Sequence, residues 1–361
     1  MKFLYGVQAT GNGHITRAYA LQKQFAKYNL DVDFVFSGRP RDAFFDMDTF
    51  GDWRCLKGLT FVTEKGKLKL WDTVRYADLK SLWQDINTLD VSPYEVVISD
   101  FEPITAWAAK KQGKPCIGLG HQYAFHHKVP AHRTWSPGYQ LMRHFAPCDI
   151  GLGLHWHHFD QAILPPIVDT LPAQTCSSTT QVEANKVLVY FGFEEQADIL
   201  NLLEPFTEYE FVYYGRFSHE QRFGHITLKP FSRAGFQKDL ATAAYVASNA
   251  GFELASEAIH LGKKLLVKPV AGQVEQLSNA KAMDQLGLGM TMQSLNGDTM
   301  RDWLSHWQAK PVHYPNVAEA IVRWLPKGQW TLQSRAELVK SLWQGYDIEN
   351  PMHRTQPAAA L

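Results

Sequence analysis

The stretch that decides the fold is residues 247–280, which read ASNAGFELASEAIHLGKKLLVKPVAGQVEQLSNA. It starts at the end of an apolar run and passes through a turn of small residues into helical spacing from Phe252 to Leu261. A second apolar run, Leu265–Val267, and a second helical segment, Val274–Leu286, follow. This order of strand, helix, strand and helix predicts a parallel sheet covered by helices.

The same alternation continues along the rest of the chain. Short runs rich in β-branched and aromatic residues, typical of buried strands, occur at Phe3–Val7, Asp33–Phe36, Val96–Ser99, Cys116–Leu119, Ile150–Leu154, Lys186–Phe191, Phe211–Tyr214 and Tyr245–Ala247. Helical spacing occurs between them at Ile15–Lys27, Pro103–Gln112 and Glu194–Leu203. The chain is therefore predicted to be an α/β protein with two doubly wound parallel sheets.

A polar, proline-rich interruption divides the two halves. We expect a first domain over residues 1–162, a linker over 163–182 and a second domain over 183–330. The helix Leu332–Trp343 is expected to cross back to the first domain, followed by a loose tail within 331–361. The default ligand site of such a pair is a cleft at the carboxyl ends of the strands.

Composition excludes several classes of protein. The 361 residues carry 36 basic and 36 acidic side chains, and 45% are hydrophobic, which argues against a nucleic-acid partner and against a disordered chain. The four cysteines are widely spaced, so neither a disulfide framework nor a thiolate zinc site is indicated. With no apolar run long enough for a leader or a membrane span, we expect a cytoplasmic protein, in solution or at the inner face of a membrane.

A glycine-containing turn follows the first strand. Gly11, Asn12, Gly13 and His14 precede a helix expected to begin at about Ile15. Backbone amides at such a turn favour an anion, and a histidine there can serve as a base. The turn lacks the third glycine of the dinucleotide fingerprint, and a tight turn with no ligand stays open as an alternative.

A second turn of the same kind lies in the other half of the chain. Gly251 opens a helix that carries Glu253 and Glu257 on one face, and the polar segment from Gly272 to Ala280 follows the next strand. A diphosphate on the Gly251 amide, with carboxylates and amides around it, is the arrangement that a nucleotide sugar requires.

These residues carry a resemblance to a known superfamily. Residues 248–280 closely resemble the donor-binding signature of GT-B glycosyltransferases, and Gly11–His14 resembles the acceptor-side glycine loop of the peptidoglycan N-acetylglucosaminyltransferase and UDP-glycosyltransferase group. The resemblance implies two Rossmann-like domains facing across a cleft. Ala250 stands where that signature has a second glycine.

The resemblance also implies roles for individual residues. Gly251 would meet the donor diphosphate and Glu257 the ribose. The full set of implied or candidate donor contacts is Ser248, Asn249, Gly251, Phe252, Glu257, Glu275, Gln276 and, flanking the base or diphosphate, Arg216. His14 would be the base and Asp100 the acid that pairs with it, although Asp100 has the alternative role of a helix cap before Pro103.

Histidines and aromatic residues are concentrated between residues 121 and 158, where eight of the fifteen histidines lie. A metal site is one interpretation, but no carboxylate or cysteine stands at ligand spacing nearby. The favoured interpretation is the wall of an acceptor pocket, with His121 and Gln122 as the candidates closest to the strand end.

A cationic segment, Arg54–Arg75, is expected to form a hairpin around Lys65–Lys67 and is either a solvated turn or a contact with an anionic glycan or membrane surface.

We therefore expect transfer of a sugar from a nucleotide diphosphate sugar, UDP-linked, to a hydroxyl of a glycan, glycolipid or small molecule. Inversion at the sugar carbon is expected, with no cofactor and no metal in the chemical step. Two alternatives stay open: a nucleotide-sugar 2-epimerase of the same fold and a non-catalytic nucleotide-sugar sensor.

Overall fold

Parallel strands form the centre of each of two units. The computed structural model describes residues 1–59, 63–64, 67–68, 78–169 and 181–346. Of these residues, the first unit contains 1–59, 78–168 and 314–346, and the second contains 63–64, 67–68, 169 and 181–313. The domain boundaries expected from the sequence stay predictions.

The strands of the described residues, in chain order, are β1 Lys2–Gln8, β2 Asp31–Ser37, β3 Arg54–Leu56, β4 Thr63–Glu64, β5 Lys67–Leu68, β6 Val96–Asp100, β7 Cys116–Gly120, β8 Ile150–Gly153, β9 Glu183–Tyr190, β10 Glu210–Gly215, β11 Gln221–Phe223, β12 Ile226–Pro230, β13 Ala243–Asn249, β14 Lys264–Lys268 and β15 Met290–Thr291. The helices are α1 Asn12–Lys27, α2 Leu79–Thr88, α3 Pro103–Gln112, α4 Pro137–His144, α5 Gln196–Leu203, α6 Arg233–Thr242, α7 Phe252–His260, α8 Val274–Leu286, α9 Gly297–His306, α10 Val317–Trp324 and α11 Leu332–Trp343. Short 3₁₀ turns lie between some of them, including His121–His126 after β7.

The sheet of the first unit has the order β3-β2-β1-β6-β7-β8, and every pairing in it is parallel. β1 lies between β2 and β6, so the strand order reverses at β1. In open parallel sheets the carboxyl ends of strands at such a reversal are where ligands bind. The turn after β1 and the end of β6 are therefore the places in this unit to look for a site.

Helix α3 packs closely on β1 and has well-defined ends. Its cap is Glu102, whose carboxylate accepts from the amides of Ile104 and Thr105, and Gly113 ends it in the left-handed conformation with φ +66°. A Cβ at Gly6 in β1 would lie 2.0 Å from the Thr105 hydroxyl oxygen. Glycine at this position is what lets the helix approach the strand.

The second unit repeats the design. Its sheet has the order β11-β12-β10-β9-β13-β14-β15, parallel except for the antiparallel edge pair β11–β12. The strand order reverses here at β9. One core side chain from each of β9, β10 and β14, namely Val187, Phe211 and Leu266, packs with Leu203 of α5 and Trp303 of α9.

The α/β class and the doubly wound sheets predicted from the sequence are confirmed. The edge strands β3, β11 and β15, which are two or three residues long, were not predicted. Such strands are too short to show a periodic pattern. None of the described helices has the length and apolar character needed to cross a bilayer.

Two further expectations concern the cationic segment and the C-terminal helix. β4 and β5 pair antiparallel across residues 65–66, as a hairpin around Lys65–Lys67 requires. The cations Lys65, Lys69 and Arg75, most of the linker and the C-terminal tail lie outside the described residues. Helix α11 belongs to the first unit, where the Trp343 indole donates to the carbonyl of Ile163 at 2.7 Å.

Candidate active site

The turn after β1 leads directly into α1. Gly11 is the N-cap, with an extended backbone (φ −118°, ψ 165°), and α1 begins at Asn12 rather than at Ile15 as the sequence suggested. The helix can start early because the extended Gly11 lets the chain turn at once. Gly13 and His14 consequently lie in the first turn of the helix, and the imidazole is held by a rigid element.

Asp100 ends the neighbouring strand β6 and meets this histidine. In the parallel pair of β1 and β6, Asp100 is aligned with Val7, so both strands end beside the same turn. The distance from His14 Nδ1 to Asp100 Oδ1 is 2.6 Å. The Asp100 side chain is fully buried, whereas 14% of the His14 side chain is exposed. A buried carboxylate thus faces an imidazole that has one edge toward solvent.

The alternative role of Asp100 as a helix cap is ruled out by the geometry of α3. Glu102 caps this helix, at 3.0 Å from the Ile104 amide and 2.6 Å from the Thr105 amide. Between the strand and the cap, Phe101 has φ +54°, a left-handed conformation that is uncommon for a bulky residue. Backbone of this kind is concentrated at functional sites.

Asp100 is surrounded by donors, two of which sequence reasoning missed. Oδ2 accepts from the Tyr5 hydroxyl at 2.9 Å and from Arg17 Nε at 2.7 Å. Oδ1 accepts from Arg17 Nη2 at 2.5 Å and faces His14 Nδ1. Burial alone would raise the pKa of Asp100, but the Arg17 charge and His14 outweigh burial and bring the pKa to about 2. The carboxylate is therefore ionised at neutral pH.

The hydrogen bonding decides which imidazole nitrogen can act as a base. Since an ionised carboxylate only accepts, the short contact with Asp100 calls for a proton on His14 Nδ1. In the neutral ring this leaves the lone pair on Nε2. Among the described residues, the imidazole of His14 makes its hydrogen bonds through Nδ1. Nε2 is the nitrogen that can take a proton from a bound hydroxyl.

The predicted donor residues of the second unit meet at the start of α7. Gly251 is the N-cap, with φ −73° and ψ 147°, so this turn does not require left-handed backbone. Ala250 does not have a positive φ either, so it replaces the second glycine of the signature without strain. The Gly251 amide donates to the Asn249 carbonyl at 2.8 Å, and the Ala250 amide to the Lys268 carbonyl at 3.2 Å. Both amides are engaged within the loop.

Two polar residues of α8 build the loops around this helix end. The Gln276 Oε1 accepts from the Val270 amide at 2.9 Å. The Asn279 side-chain amide donates to the Ala250 carbonyl at 2.9 Å and is almost fully buried. Glu275, one residue before Gln276, is half-buried in the first turn of α8. Asn279, which was not among the predicted contacts, thus fixes the turn that opens α7.

Glu257 lies in α7, about one turn after Glu253, and is 8% exposed. Behind it in the chain, Ser248 and Asn249 end β13 and are also buried. The Asn249 nitrogen faces two acceptors, the Lys268 carbonyl at 3.2 Å and Glu194 Oε1 at 3.4 Å, which fixes the orientation of its amide. Asn249 Oδ1 is buried and has no hydrogen-bond partner among the described residues.

A buried ion pair lies beside Asn249. Lys268 Nζ is 2.6 Å from Glu194 Oε1, and both side chains are at most 8% exposed. Sequence reasoning missed both residues. Lys268 is the last residue of β14, and Glu194 lies in the segment that follows β9. They line a cavity of about 600 Å³ in the second unit, together with Asp198, Gln293 and Gly297 among others.

The three remaining predicted residues differ in their surroundings. His121 is fully buried, with Nδ1 2.8 Å from the Leu154 carbonyl, and Gln122 is 4% exposed. Arg216 is exposed in the loop after β10. The Gln122 Oε1 atom lies beside the His14–Asp100 pair, because a Cβ at Gly120 would be 3.1 Å from it, 3.2 Å from Arg17 Nη2 and 3.4 Å from Asp100 Oδ1. The places of His121 and Gln122 in the wall of an acceptor pocket stay predictions.

Three histidines of the histidine-rich region, His121, His155 and His157, are buried. His121 lies 5.1 Å from His155 between ring centroids, and burial holds the pKa of His155 well below its usual range. Among the described residues, no group of three or more His, Cys, Asp or Glu side chains is placed to hold a metal ion. A cavity of about 1020 Å³ in the first unit lies at the amino ends of β7 and β8, and no predicted site residue lines it.

Solved structures share this fold. Arabidopsis thaliana UGT89C1 complexed with quercetin is 14% identical with a TM-score of 0.58, and the match covers 94% of this chain and 99% of that one. The glycosyltransferase of kitacinnamycin is 13% identical with a TM-score of 0.56, covering 94% and 98%. The glycosyltransferase SnogD from Streptomyces nogalater is 14% identical with a TM-score of 0.52, covering 94% and 99%. These similarities define the fold of the chain, which is the GT-B fold.

A comparison with protein-family profiles identifies the family of this chain. The profile of glycosyl transferase family 1 matches residues 1–138 and 157–307, more than half of the chain. The chain belongs to this family and is a glycosyltransferase, an enzyme that acts with a sugar donor and an acceptor. No match was found among curated protein sequences.

Proposed function

We propose that this enzyme transfers a sugar from a nucleoside diphosphate sugar, UDP-linked, to a hydroxyl acceptor, with inversion at the anomeric carbon and with no metal ion in the chemical step. His14 is the general base and Asp100 is its partner. The observation that carries the proposal is the 2.6 Å contact between His14 Nδ1 and the buried Asp100 carboxylate, at the carboxyl ends of adjacent strands.

The acceptor hydroxyl is a poor nucleophile, so removal of its proton assists the attack. His14 Nε2 takes that proton as the acceptor oxygen bonds to the anomeric carbon. The bond from this carbon to the diphosphate oxygen breaks, and its electron pair stays on the diphosphate. Asp100 holds the productive tautomer and stabilises the imidazolium that forms. Gly11, Asn12 and Gly13 surround the base, and the acceptor is expected beside them.

The departing nucleoside diphosphate needs stabilisation of its growing negative charge. The amino end of α7 supplies it through the helix dipole and the amides of its first turn, from Phe252 onward. Because the Gly251 amide is bonded to the Asn249 carbonyl, we assign the diphosphate contact to this turn as a whole. A preorganised helix end of this kind can serve where other enzymes use a cation.

The remaining donor groups are assigned to the polar side chains around α7. Glu257 accepts from the ribose hydroxyls, as a carboxylate can from two neighbouring donors. Glu275 and the side-chain NH2 of Gln276, whose Oε1 is bonded to the Val270 amide, are assigned to the sugar. Arg216, exposed in the loop after β10, is assigned to the base or diphosphate. The unpartnered Asn249 Oδ1 supports a bound ligand here, because a buried acceptor without a donor is costly.

The acceptor is assigned to hydroxyl compounds: a glycan, a glycolipid or a small molecule. Cys55, Cys116 and Cys148 are free thiols, which supports a reducing, cytoplasmic location. Contact with a membrane surface is part of the proposal only for a glycolipid acceptor.

The experiment compares wild type with His14→Ala, using UDP-sugars as donors and quercetin, monosaccharides and a lipid-linked alcohol as acceptors. Acceptor-dependent release of UDP is expected from the wild type. Turnover of the variant should fall by about 100-fold or more, because a positioned base typically contributes that much, while donor affinity stays the same.

Two other outcomes separate the alternatives. Formation of an epimer from the donor alone would make the protein an epimerase, and saturable donor binding without turnover for any acceptor would make it a sensor. Full turnover by the His14 variant would remove this residue from the role of base.

A further inference from the structure

Arg17 forms a tight triangle with the two residues of the proposed base pair. Its Nη2 is 2.5 Å from Asp100 Oδ1 and 2.9 Å from His14 Nδ1, and His14 Nδ1 is 2.6 Å from the same oxygen. Arg17 is 1% exposed and also donates through Nε to the other oxygen of Asp100. A guanidinium buried this deeply beside a candidate base is not explained by the pairing of His14 with Asp100 alone.

We propose that Arg17 is a positioning residue that keeps Asp100 ionised and oriented, and that it thereby sets the pH range in which His14 can act as a base. This inference rests on the proposed function, since it concerns the same proton transfer. Arg17 touches neither donor nor acceptor in it and acts only through Asp100 and His14.

The charge balance of the buried group supports this role. With Arg17 present, the cluster of Arg17, Asp100 and neutral His14 has no net charge, and proton uptake by His14 makes it positive. Without the guanidinium the same cluster starts at −1, so uptake of a proton by either the imidazole or the carboxylate neutralises it. Both protonations remove the base, and both become easier when Arg17 is lost. The cluster without Arg17 should therefore lose activity at a higher pH than the wild type does.

The geometry of the fork explains why an arginine is needed here. Arg17 Nε and Nη2 each bind a different oxygen of Asp100, the bidentate arrangement that a planar guanidinium makes with a carboxylate. This fixes the plane of the carboxylate, so that Oδ1 is presented to His14. Gly120 leaves room for the arrangement. A Cβ at that position would lie 3.2 Å from Arg17 Nη2 and 3.4 Å from Asp100 Oδ1.

Arg17 also offers His14 a competing hydrogen bond. If Nη2 donated to His14 Nδ1, the neutral ring would carry its proton on Nε2 and could not act as a base. The ionised Asp100 prevents this, because its Oδ1 accepts hydrogen bonds from Arg17 Nη2 and from the protonated Nδ1 of His14. The role of Arg17 therefore depends on Asp100 being a carboxylate.

The other titratable groups described around Arg17, Asp100 and His14 would not replace the positive charge that is lost with Arg17. Tyr5 from β1 donates a neutral hydroxyl to Asp100. Arg39, after β2, donates to Asn12 Oδ1 at 3.1 Å. Glu102 follows Asp100 by two residues, but its carboxylate accepts from Ser37 and from the start of α3. Among the described residues, Arg17 is the cation in contact with Asp100.

The test is the pH dependence of kcat/KM for Arg17→Gln and Arg17→Lys, measured with the donor and acceptor that the wild type turns over. For Arg17→Gln the acid side of the profile should move up by about one pH unit or more. Its loss of activity at pH 6 should then exceed its loss at pH 8 by about tenfold. Arg17→Lys keeps the charge and should keep the wild-type position of the acid side, with a lower plateau. Arg222→Gln, which removes an exposed ion pair with Glu210, should match the wild type throughout.

A loss for Arg17→Gln by the same factor at every pH would overturn the inference, because a merely structural role has that signature. If this variant does not fold, the ¹⁵N NMR signals of His14 in the unmodified protein give a second readout. A proton on Nδ1 in the neutral ring supports the inference, and a proton on Nε2 overturns it. Failure of the proposed function is recognised separately, by full turnover of His14→Ala.

Discussion

Replacing Asp100 by asparagine should destabilise the first unit by about 3–5 kcal/mol, the cost of removing one partner from a buried ion pair. The Asp100 and Arg17 side chains are 0% and 1% exposed, so little solvent can compensate the stranded guanidinium. Each oxygen of Asp100 meets two donors. An amide in its place would turn one oxygen into an NH2 group that faces two donors.

The lowered pKa of Asp100 accounts for part of this loss in the free energy of unfolding. A fall from the usual 3.8 to about 2 corresponds to about 2 kcal/mol of stability, at roughly 1.4 kcal/mol for each pH unit. The remainder of the loss comes from the unpaired Arg17. Because the folded pKa lies below the unfolded one, this stability is fully present above pH 3.8 and is lost as the pH falls toward 2.

The assay is urea unfolding of the wild type and Asp100→Asn at several pH values between 8 and 5, followed by tryptophan fluorescence and circular dichroism. The loss should not become smaller across this range, since Asp100 stays ionised throughout. Asp160→Asn is the matched control. Asp160 has a half-exposed side chain and φ +57°, which asparagine tolerates, so its effect should be within about 0.5 kcal/mol. A penalty for Asp100→Asn that shrinks between pH 8 and 5 would refute the reasoning, because Asp100 would then be taking up a proton there.

Two further predictions concern the second unit. Asn279→Ala should cost about 1–3 kcal/mol in urea unfolding, because it leaves the Ala250 carbonyl without its 2.9 Å donor, and a change below about 0.5 kcal/mol would contradict that role. Glu257→Gln should weaken UDP binding by about tenfold or more in calorimetric titration, since hydrogen bonds to a charged acceptor contribute about 1.5–3 kcal/mol, and an unchanged Kd would remove Glu257 from the ribose site.

The pairing of His14 with Asp100 was implied by the resemblance to GT-B glycosyltransferases, and the topology of the sheet explains it. Each residue lies at or just beyond the end of a strand with a clear apolar pattern, and neighbouring parallel strands end at one edge of a sheet. Arg17 was not anticipated, although it lies three residues after His14 on the same face of α1. An arginine in sequence is usually exposed, and only the fold shows that this one is buried against a carboxylate.

Side-chain roles around α7 were harder to predict than the backbone. The bounds of α7 and α8 are close to the predicted ones. However, Gln276 and Asn279 form hydrogen bonds with the loops beside them, at Val270 and Ala250. Sequence spacing places a polar residue near a site without saying whether it faces a ligand or the chain. The burial of His121 has the same origin, since a residue directly after a strand can turn into the core as easily as out of it.

The most direct test of the account is a crystal structure with the nucleoside diphosphate that gives the largest thermal shift among UDP, GDP, dTDP, ADP and CDP. The account predicts the diphosphate within hydrogen-bond distance of the first-turn amides of α7 and the ribose hydroxyls on the Glu257 carboxylate. A nucleotide bound elsewhere, such as in the cavity at the amino ends of β7 and β8, or no shift with any of the five, would contradict it.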